Sequence, residues 1–264
     1  MKAKKKFGQN FLIDEYYINR IIETINVFSN DLILEVGPGQ GALTKRLKEK
    51  GANLIAFEID QDLKSILAPI EDEKTKIIYQ DFLSSDIKAI TEKYSNTHII
   101  GNLPYYITTP ILEHIIKSQI NPQEIIIMVQ KEVADRFLAK PHTKDYGYFT
   151  LYLKYFFNIE RIVDVPNTAF NPIPKVESTV LKLKTRPDKP KVNIEKYQEL
   201  LKSSFKQKRK QLKNNLSSYD FSIIKEILIK YGISENARAE ELSEEVFIEI
   251  CQNYPERYKL QIDR

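Results

Sequence analysis

Between residues 32 and 139 one rhythm repeats five times: a short apolar run, then a segment with apolar residues at helical spacing. The runs are LILEVG (32 to 37), NLIAFEID (53 to 60), KIIYQDF (76 to 82), HIIGNLP (98 to 104) and EIIIMVQ (124 to 130). The intervening helices are expected near 42–50, 61–68, up to Ile90, 109–118 and 131–139. Strands separated by helices cannot pair as hairpins, so they lie parallel and are covered on both faces. Ligands of such a sheet sit at the carboxyl ends of its strands. Before the first run, Asp14 is placed to cap a helix carrying Ile18, Ile21, Ile22 and Ile25.

The rhythm stops after Tyr146. An aromatic segment, YGYFTLYLKYFF, leads to IERIVDVP and a loop with Phe170, Pro172 and Pro174. STVLKLK (178 to 184) then fits an antiparallel edge strand. TRPDKPK (185 to 191) reads as a linker, because its prolines oppose both helix and ladder pairing. Beyond it the pattern is helical, with Gly232 the single glycine. Two domains are expected, an α/β domain over 1–185 and a small all-helical one over 186–264.

Several function classes drop out on composition. No apolar stretch approaches the roughly 20 residues of a membrane span, and the lysine-rich start has no apolar stretch behind it, so a cytoplasmic protein is expected; it is also expected to be a monomer. Cys251 has no cysteine to pair with, and His98, His114 and His142 show no ligand spacing, so no metal site is expected. Net charge is only +4, but it is unevenly spread. Lys2, Lys4, Lys5 and Lys6 crowd the start, and Lys202, Lys206, Lys208, Arg209, Lys210 and Lys213 form a second basic block without an acid. Such clusters suit contact with nucleic-acid phosphates. On a helical reading of 201–216, Leu201, Phe205, Leu212 and Leu216 form an apolar stripe with Lys208 projecting into it. Lys202, Lys206, Arg209 and Lys213 then line the adjacent, RNA-binding face.

The chemistry is concentrated at the strand ends. EVGPGQGAL (35 to 43) sets Gly37, Gly39 and Gly41 between a strand and a helix, where missing side chains let a ligand approach the backbone. Glu58 ends the second strand and suits ribose hydroxyls; Asp81 ends the third and suits an adenine amino group. A nicotinamide dehydrogenase and an S-adenosylmethionine methyltransferase both use these features. The stretch GNLPYY (101 to 106) separates them. An aromatic exocyclic amine is a poor nucleophile because its lone pair is delocalised into the ring. If the Asn102 side-chain oxygen and the Leu103 carbonyl each accept one of its N–H bonds, the lone pair is turned toward a methyl donor. Pro104 restricts the backbone that carries this carbonyl, and Tyr105 offers a face for stacking the base. A neutral Asn also buries no charge before the reaction.

These residues carry a resemblance. GNLPYYITTPIL, with KKKFGQNFL (4 to 12), ILEVGPGQGALT (33 to 44), FEID (57 to 60), QDFL (80 to 83) and FNPIPKVEST (170 to 179), resembles the KsgA-type ribosomal RNA adenine dimethyltransferases. FKQKRKQLKNNL (205 to 216) is similar to that family's basic helix and NARAEELSEEVF (236 to 247) to its closing motif, with Lys208 where the family pattern has Arg. The resemblance implies a Rossmann-like S-adenosylmethionine-dependent methyltransferase fold with a small all-helical C-terminal domain. It implies donor contacts from Asn10, Leu12, Gly37, Glu58, Asp81 and Asn102, with the QNFL segment over the cofactor. Tyr105 and Phe170 would sandwich the target adenine. The implied reaction converts two adjacent adenosines in the 3′-terminal hairpin loop of 16S rRNA, in the small ribosomal subunit or its precursor, to N6,N6-dimethyladenosines. A macrolide-resistance type of 23S rRNA methyltransferase and a non-catalytic ribosome-assembly factor are the competing readings.

Overall fold

The computed structural model describes residues 9–104 and 107–254. Contacts divide these into two compact units, one holding the described residues up to Ala134 with Asn158–Thr185, the other Asp135–Phe157 with the described residues from Arg186 onward. The stretch 135–157, read from sequence with the first domain, thus groups with the second.

In the first unit β1 (Phe11–Leu12) precedes α1 (Glu15–Glu23), whose first turn is capped by the Asp14 carboxylate accepting the Tyr16 N–H at 2.9 Å. The expected alternation follows: β2 (Leu32–Val36), α2 (Ala42–Lys48), β3 (Asn53–Phe57), α3 (Lys64–Leu67), β4 (Thr75–Ile78), α4 (Ile87–Thr91), β5 (Thr97–Asn102), α5 (Thr108–Lys117), β6 (Glu124–Gln130) and α6 (Lys131–Leu138), whose residues from Asp135 onward are grouped with the second unit. After α7 (Tyr148–Phe156), β7 (Phe157–Val165), β8 (Phe170–Asn171) and β9 (Ser178–Thr185) complete the strands. Seven of them form one sheet in the order β4-β3-β2-β5-β6-β9-β7, with β2 to β6 parallel and β9 antiparallel to β6. Every residue of β2 is buried, which is why that strand reads as one apolar run.

One strand departs from the sequence reading. β9 is antiparallel as expected, but it lies between β6 and β7 instead of at the edge. Its first six residues are all buried, whereas β7 alternates toward solvent as an edge strand does. Lys182 tolerates the interior because its ammonium meets Glu124 and donates to the Thr24 carbonyl. No helix among the described residues is long and apolar enough to cross a membrane.

In the second unit α7 packs with α8 (Ile194–Ser204), and α9 (Leu212–Asn215), α10 (Phe221–Lys230) and α11 (Glu244–Asn253) complete it. Tyr155 and Tyr197 place ring centroids 5.2 Å apart, and the Arg186 guanidinium both donates to the Lys154 carbonyl at 2.6 Å and pairs with Glu244 at 2.7 Å, which ties 135–157 to the helices that follow the linker. The basic stretch is not one helix, contrary to its periodicity. α8 ends at Ser204, and the Asn215 side chain donates to the Ser204 and Gln207 carbonyls at 2.7 and 3.1 Å, replacing bonds a continuous helix would make. Lys208 consequently leaves the apolar stripe; it is exposed and donates to the Lys144 carbonyl at 3.2 Å. The closing motif holds this turn in place, since Leu212 N–H donates to the Ala237 carbonyl at 2.8 Å and Lys213 to Asn236 at 2.7 Å.

Candidate active site

The chain lays β3 and β4 on one side of β2 and then crosses back to lay β5 on the other, which leaves a crevice at the carboxyl ends of β2 and β5. A cavity of about 350 Å³ opens there. Residues 35–40, 57–59, 80–83 and 102–104 line it from successive strand ends, and residues 9–12 pass along it as a strap. Of the residues singled out on sequence, Asn10, Leu12, Gly37, Glu58, Asp81, Asn102, Leu103 and Pro104 all come together in this one space.

Glu58 is buried, with both carboxylate oxygens already accepting backbone N–H groups: Oε2 from Gly39 at 3.0 Å and Oε1 from Asp60 at 2.8 Å. Burial pushes its pKa up, and those two hydrogen bonds work against the rise. A carboxylate has lone pairs beyond these two, so Glu58 both shapes the glycine loop and retains acceptor capacity for ligand hydroxyls. Gly39 needs its missing side chain twice, for φ of 57° and because an added Cβ would lie 3.0 Å from the Phe11 ring on the strap. Gly41 does not line the cavity; its Cβ would meet Ile70 at 2.6 Å, so it serves packing against that side chain instead of ligand approach. Asp81 stands at the rim, its Oδ1 accepting the Leu83 N–H at 3.0 Å.

At the end of β5 the Asn102 side-chain Nδ2 donates to the Asn10 carbonyl at 3.0 Å. The Leu103 N–H donates to the Met128 carbonyl at 3.2 Å, and the Pro104 carbonyl accepts the Ile107 N–H at 3.1 Å, so the backbone that presents the Leu103 carbonyl is held from both sides. Gly101, not singled out on sequence, makes this register possible: an added Cβ would lie 2.7 Å from the Val36 carbonyl oxygen. Gly101→Ala is therefore expected to destabilise the fold by about 1–3 kcal/mol, as overpacking against backbone does. Urea denaturation measures this, and an unchanged midpoint would contradict it.

Glu35 was likewise missed, although an acid inside LILEVG was visible. It is 1% exposed, its Oε2 has no hydrogen-bond partner among the described residues, and burial, with the Glu58 charge adding, pushes its pKa up to about 8. The sign of its effect follows from linkage. From the ordinary carboxylate range, about 4.5, to about 8 the native state keeps a proton that the unfolded chain has lost, so stability falls as pH rises through that window. Glu35→Gln removes this loss, and its stability advantage over the wild type should grow from pH 5 to pH 8 in urea denaturation. A pH-independent difference would contradict the assignment.

Other expected residues fall elsewhere. Phe170 does not line the cavity; it is 2% exposed, opposite Leu12 in the β1 and β8 pairing, and packs in the core with Val165 and Ala169. Tyr105 and the basic cluster Lys2 to Lys6 lie outside the described residues. Lys202, Lys206, Arg209 and Lys213 belong to the second unit, where none pairs with a carboxylate among the described residues; Lys202 stands over the Tyr148 ring at 5.8 Å.

Residues 1–255 match the family described as Ribosomal RNA adenine dimethylase. The chain is 40% identical, over 96% of its length and 92% of the relative's, to Ribosomal RNA small subunit methyltransferase A of Alkaliphilus oremlandii. It is 39% identical, over 92% and 88%, to the protein of that name from Bacillus mycoides. Among solved structures, a dimethyladenosine transferase from Plasmodium falciparum superposes with a TM-score of 0.75 at 22% identity, covering 90% of this chain and 95% of that one. The 23S rRNA methyltransferase ErmE superposes with 0.70 at 24% identity, covering 92% and 98%. These last two share the Rossmann-like methyltransferase fold with this chain.

Proposed function

The chain belongs to the ribosomal RNA adenine dimethylase family, and we propose that its substrates are two adjacent adenosines in the 3′-terminal hairpin loop of 16S rRNA. It is an S-adenosylmethionine-dependent rRNA adenine dimethyltransferase of the KsgA type. It acts as a monomer in the cytoplasm, on the small subunit or its precursor. One observation carries the mechanism: the Glu58 and Gly39 cradle and the Asn102 and Leu103 acceptor pair line the same cavity.

The residues present fit the donor. Glu58 accepts from the ribose hydroxyls, Asp81 from the adenine amino group at the rim, and Gly37, whose Cβ position has 3.9 Å of clearance, lets the chain of the donor lie against the backbone. When bound, the donor supplies an electrophilic methyl whose bond to sulfur breaks, with the electron pair kept by sulfur, as the amine nitrogen forms its bond to carbon. Asn102 Oδ1 and the Leu103 carbonyl accept the two N–H bonds of the target amine and so localise its lone pair. The proton released by the methylated nitrogen leaves to water. A monomethylated amine keeps one N–H for this pair of acceptors, which suffices to orient the second transfer. Tyr105 stacks on the extruded adenine and offsets part of its unstacking cost. A second face from Phe170 requires that side chain to turn out of its packing against Leu12 and Val165.

Methylation of isolated small-subunit and large-subunit RNA in parallel tests substrate choice. Transfer to the small-subunit RNA is expected, and preferential transfer to the large-subunit RNA would overturn the assignment.

A further inference from the structure

We infer that the Gln9 to Asp60 hydrogen bond is a latch that sets the orientation of the Asn102 amide, so that the strap over the cavity is a positioning element for the target amine. The inference rests on the transfer reaction proposed above. It begins with a property of the amide itself. The torsion that turns an Asn side-chain amide is broad and roughly two-fold, so the amide has little intrinsic preference between its two flipped states. A partner must decide. At Asn102 the partner is the Asn10 carbonyl, 3.0 Å from Nδ2. A carbonyl only accepts, so it must face the NH₂ end, and planarity then fixes where Oδ1 lies on the other arm of the group. In the flipped state Asn102 would offer two more donors to an amine that is itself a donor, and the acceptor on which the transfer depends would be lost.

The Asn10 carbonyl belongs to the strap, so the correct amide state exists only while the strap is seated. Downstream of Asn10 the strap is secured by pairing of Phe11 with Asn171 and Leu12 with Phe170, and by Phe11 lying against Gly39. Upstream, Gln9 Nε2 donates to Asp60 Oδ2 at 2.8 Å. Asp60 is a rigid anchor. It is 3% exposed, its Oδ1 accepts the Asp62 N–H at 3.2 Å, and its own N–H donates to Glu58 at 2.8 Å. A hydrogen bond to a charged, buried acceptor is among the strong ones. The Gln9 contact therefore ties the strap, through Asp60, to Glu58 of the cavity wall, and Asn102 reads out that seating at the reacting amine. Neither Gln9 nor Asp60 needs to touch the amine to affect the chemical step.

Gln9→Glu tests this with almost no change in shape, because it sets two carboxylates against each other and drives the strap off its anchor. Asp60→Asn added to it restores an amide and carboxylate pair with the polarity reversed. The reading is single-turnover methyl transfer to small-subunit RNA at saturating donor, with donor affinity measured separately by calorimetry and folding checked by thermal melting. Gln9→Glu is expected to lower the saturated rate about tenfold or more, as misplacement of a reacting group does, and the double variant to recover it to within about threefold. Should Gln9→Glu fail to fold, Gln9→Ala carries the same expected loss. A Gln9→Glu rate within about twofold of the wild type, a change confined to donor affinity, or a loss that Asp60→Asn does not recover would overturn the latch. Wild-type transfer in the same assay separates the two levels: without it the reaction proposed above fails and the latch with it, whereas an active wild type beside an unaffected variant defeats the latch alone.

Discussion

Asn102→Ala is expected to lower the single-turnover rate of methyl transfer by about a hundredfold or more while donor binding persists. The substitution removes the Oδ1 acceptor that orients the amine, and losses of this size accompany a reacting group left misaligned. It also removes the Nδ2 bond to the Asn10 carbonyl, so some loosening of the strap, and with it a weaker grip on the donor, is expected. Asn102→Asp separates the two roles. It keeps an acceptor but cannot donate to Asn10, and it buries a charge, so it too should be slow even with the strap crowded rather than emptied. Rapid-quench measurement at saturating donor and RNA reads the chemical step; a rate for Asn102→Ala within about tenfold of the wild type would remove the amide from its assigned role.

Reversing two charges in the second unit should be nearly as costly, but to binding instead of chemistry. Lys206 and Arg209 are exposed, lie on the turn between α8 and α9, and have no carboxylate partner among the described residues. If each cation neutralises one phosphate, Lys206→Glu with Arg209→Glu should reduce the slope of log affinity against log salt by about 2 and weaken RNA binding by well over tenfold at low salt. Donor affinity should not change. Filter binding across a salt series checks this, and an unaltered slope would make the turn a solvated surface only.

The parts of the molecule that were legible in the sequence share a physical cause. Strands buried on both faces read as unbroken apolar runs, so LILEV and EIIIMV announced β2 and β6, and Glu58, Asp81 and Asn102, expected at strand ends, do line the one cavity there. What was not legible depends on partners distant in sequence. Nothing local to STVLKLK says that β7 will cover its outer edge, or that Lys182 will find Glu124 inside the sheet. The helical phase of Leu201, Phe205, Leu212 and Leu216 runs straight through 205–211, yet the Asn215 amide takes the carbonyls there and the helix ends. Phe170 carried the same promise as any aromatic beside a proline-rich loop; only the pairing of β8 with β1 shows that its ring is packed in the core. Gly101 is silent in sequence because its reason is the carbonyl of Val36, a residue on a different strand and far earlier in the chain.

The central claim, that one cavity brings a methyl donor to the amines of two adjacent adenosines in small-subunit RNA, is tested most directly by mass spectrometry of that RNA's 3′ end. Small-subunit RNA lacking these modifications is incubated with the protein and S-adenosylmethionine, and the 3′-terminal fragment is sequenced by mass. Two adjacent N6,N6-dimethyladenosines in the hairpin loop are predicted with the wild-type chain, and none with Asn102→Ala. A 3′ end left unmodified by the active protein, or methyl groups found only elsewhere in ribosomal RNA, would contradict the account.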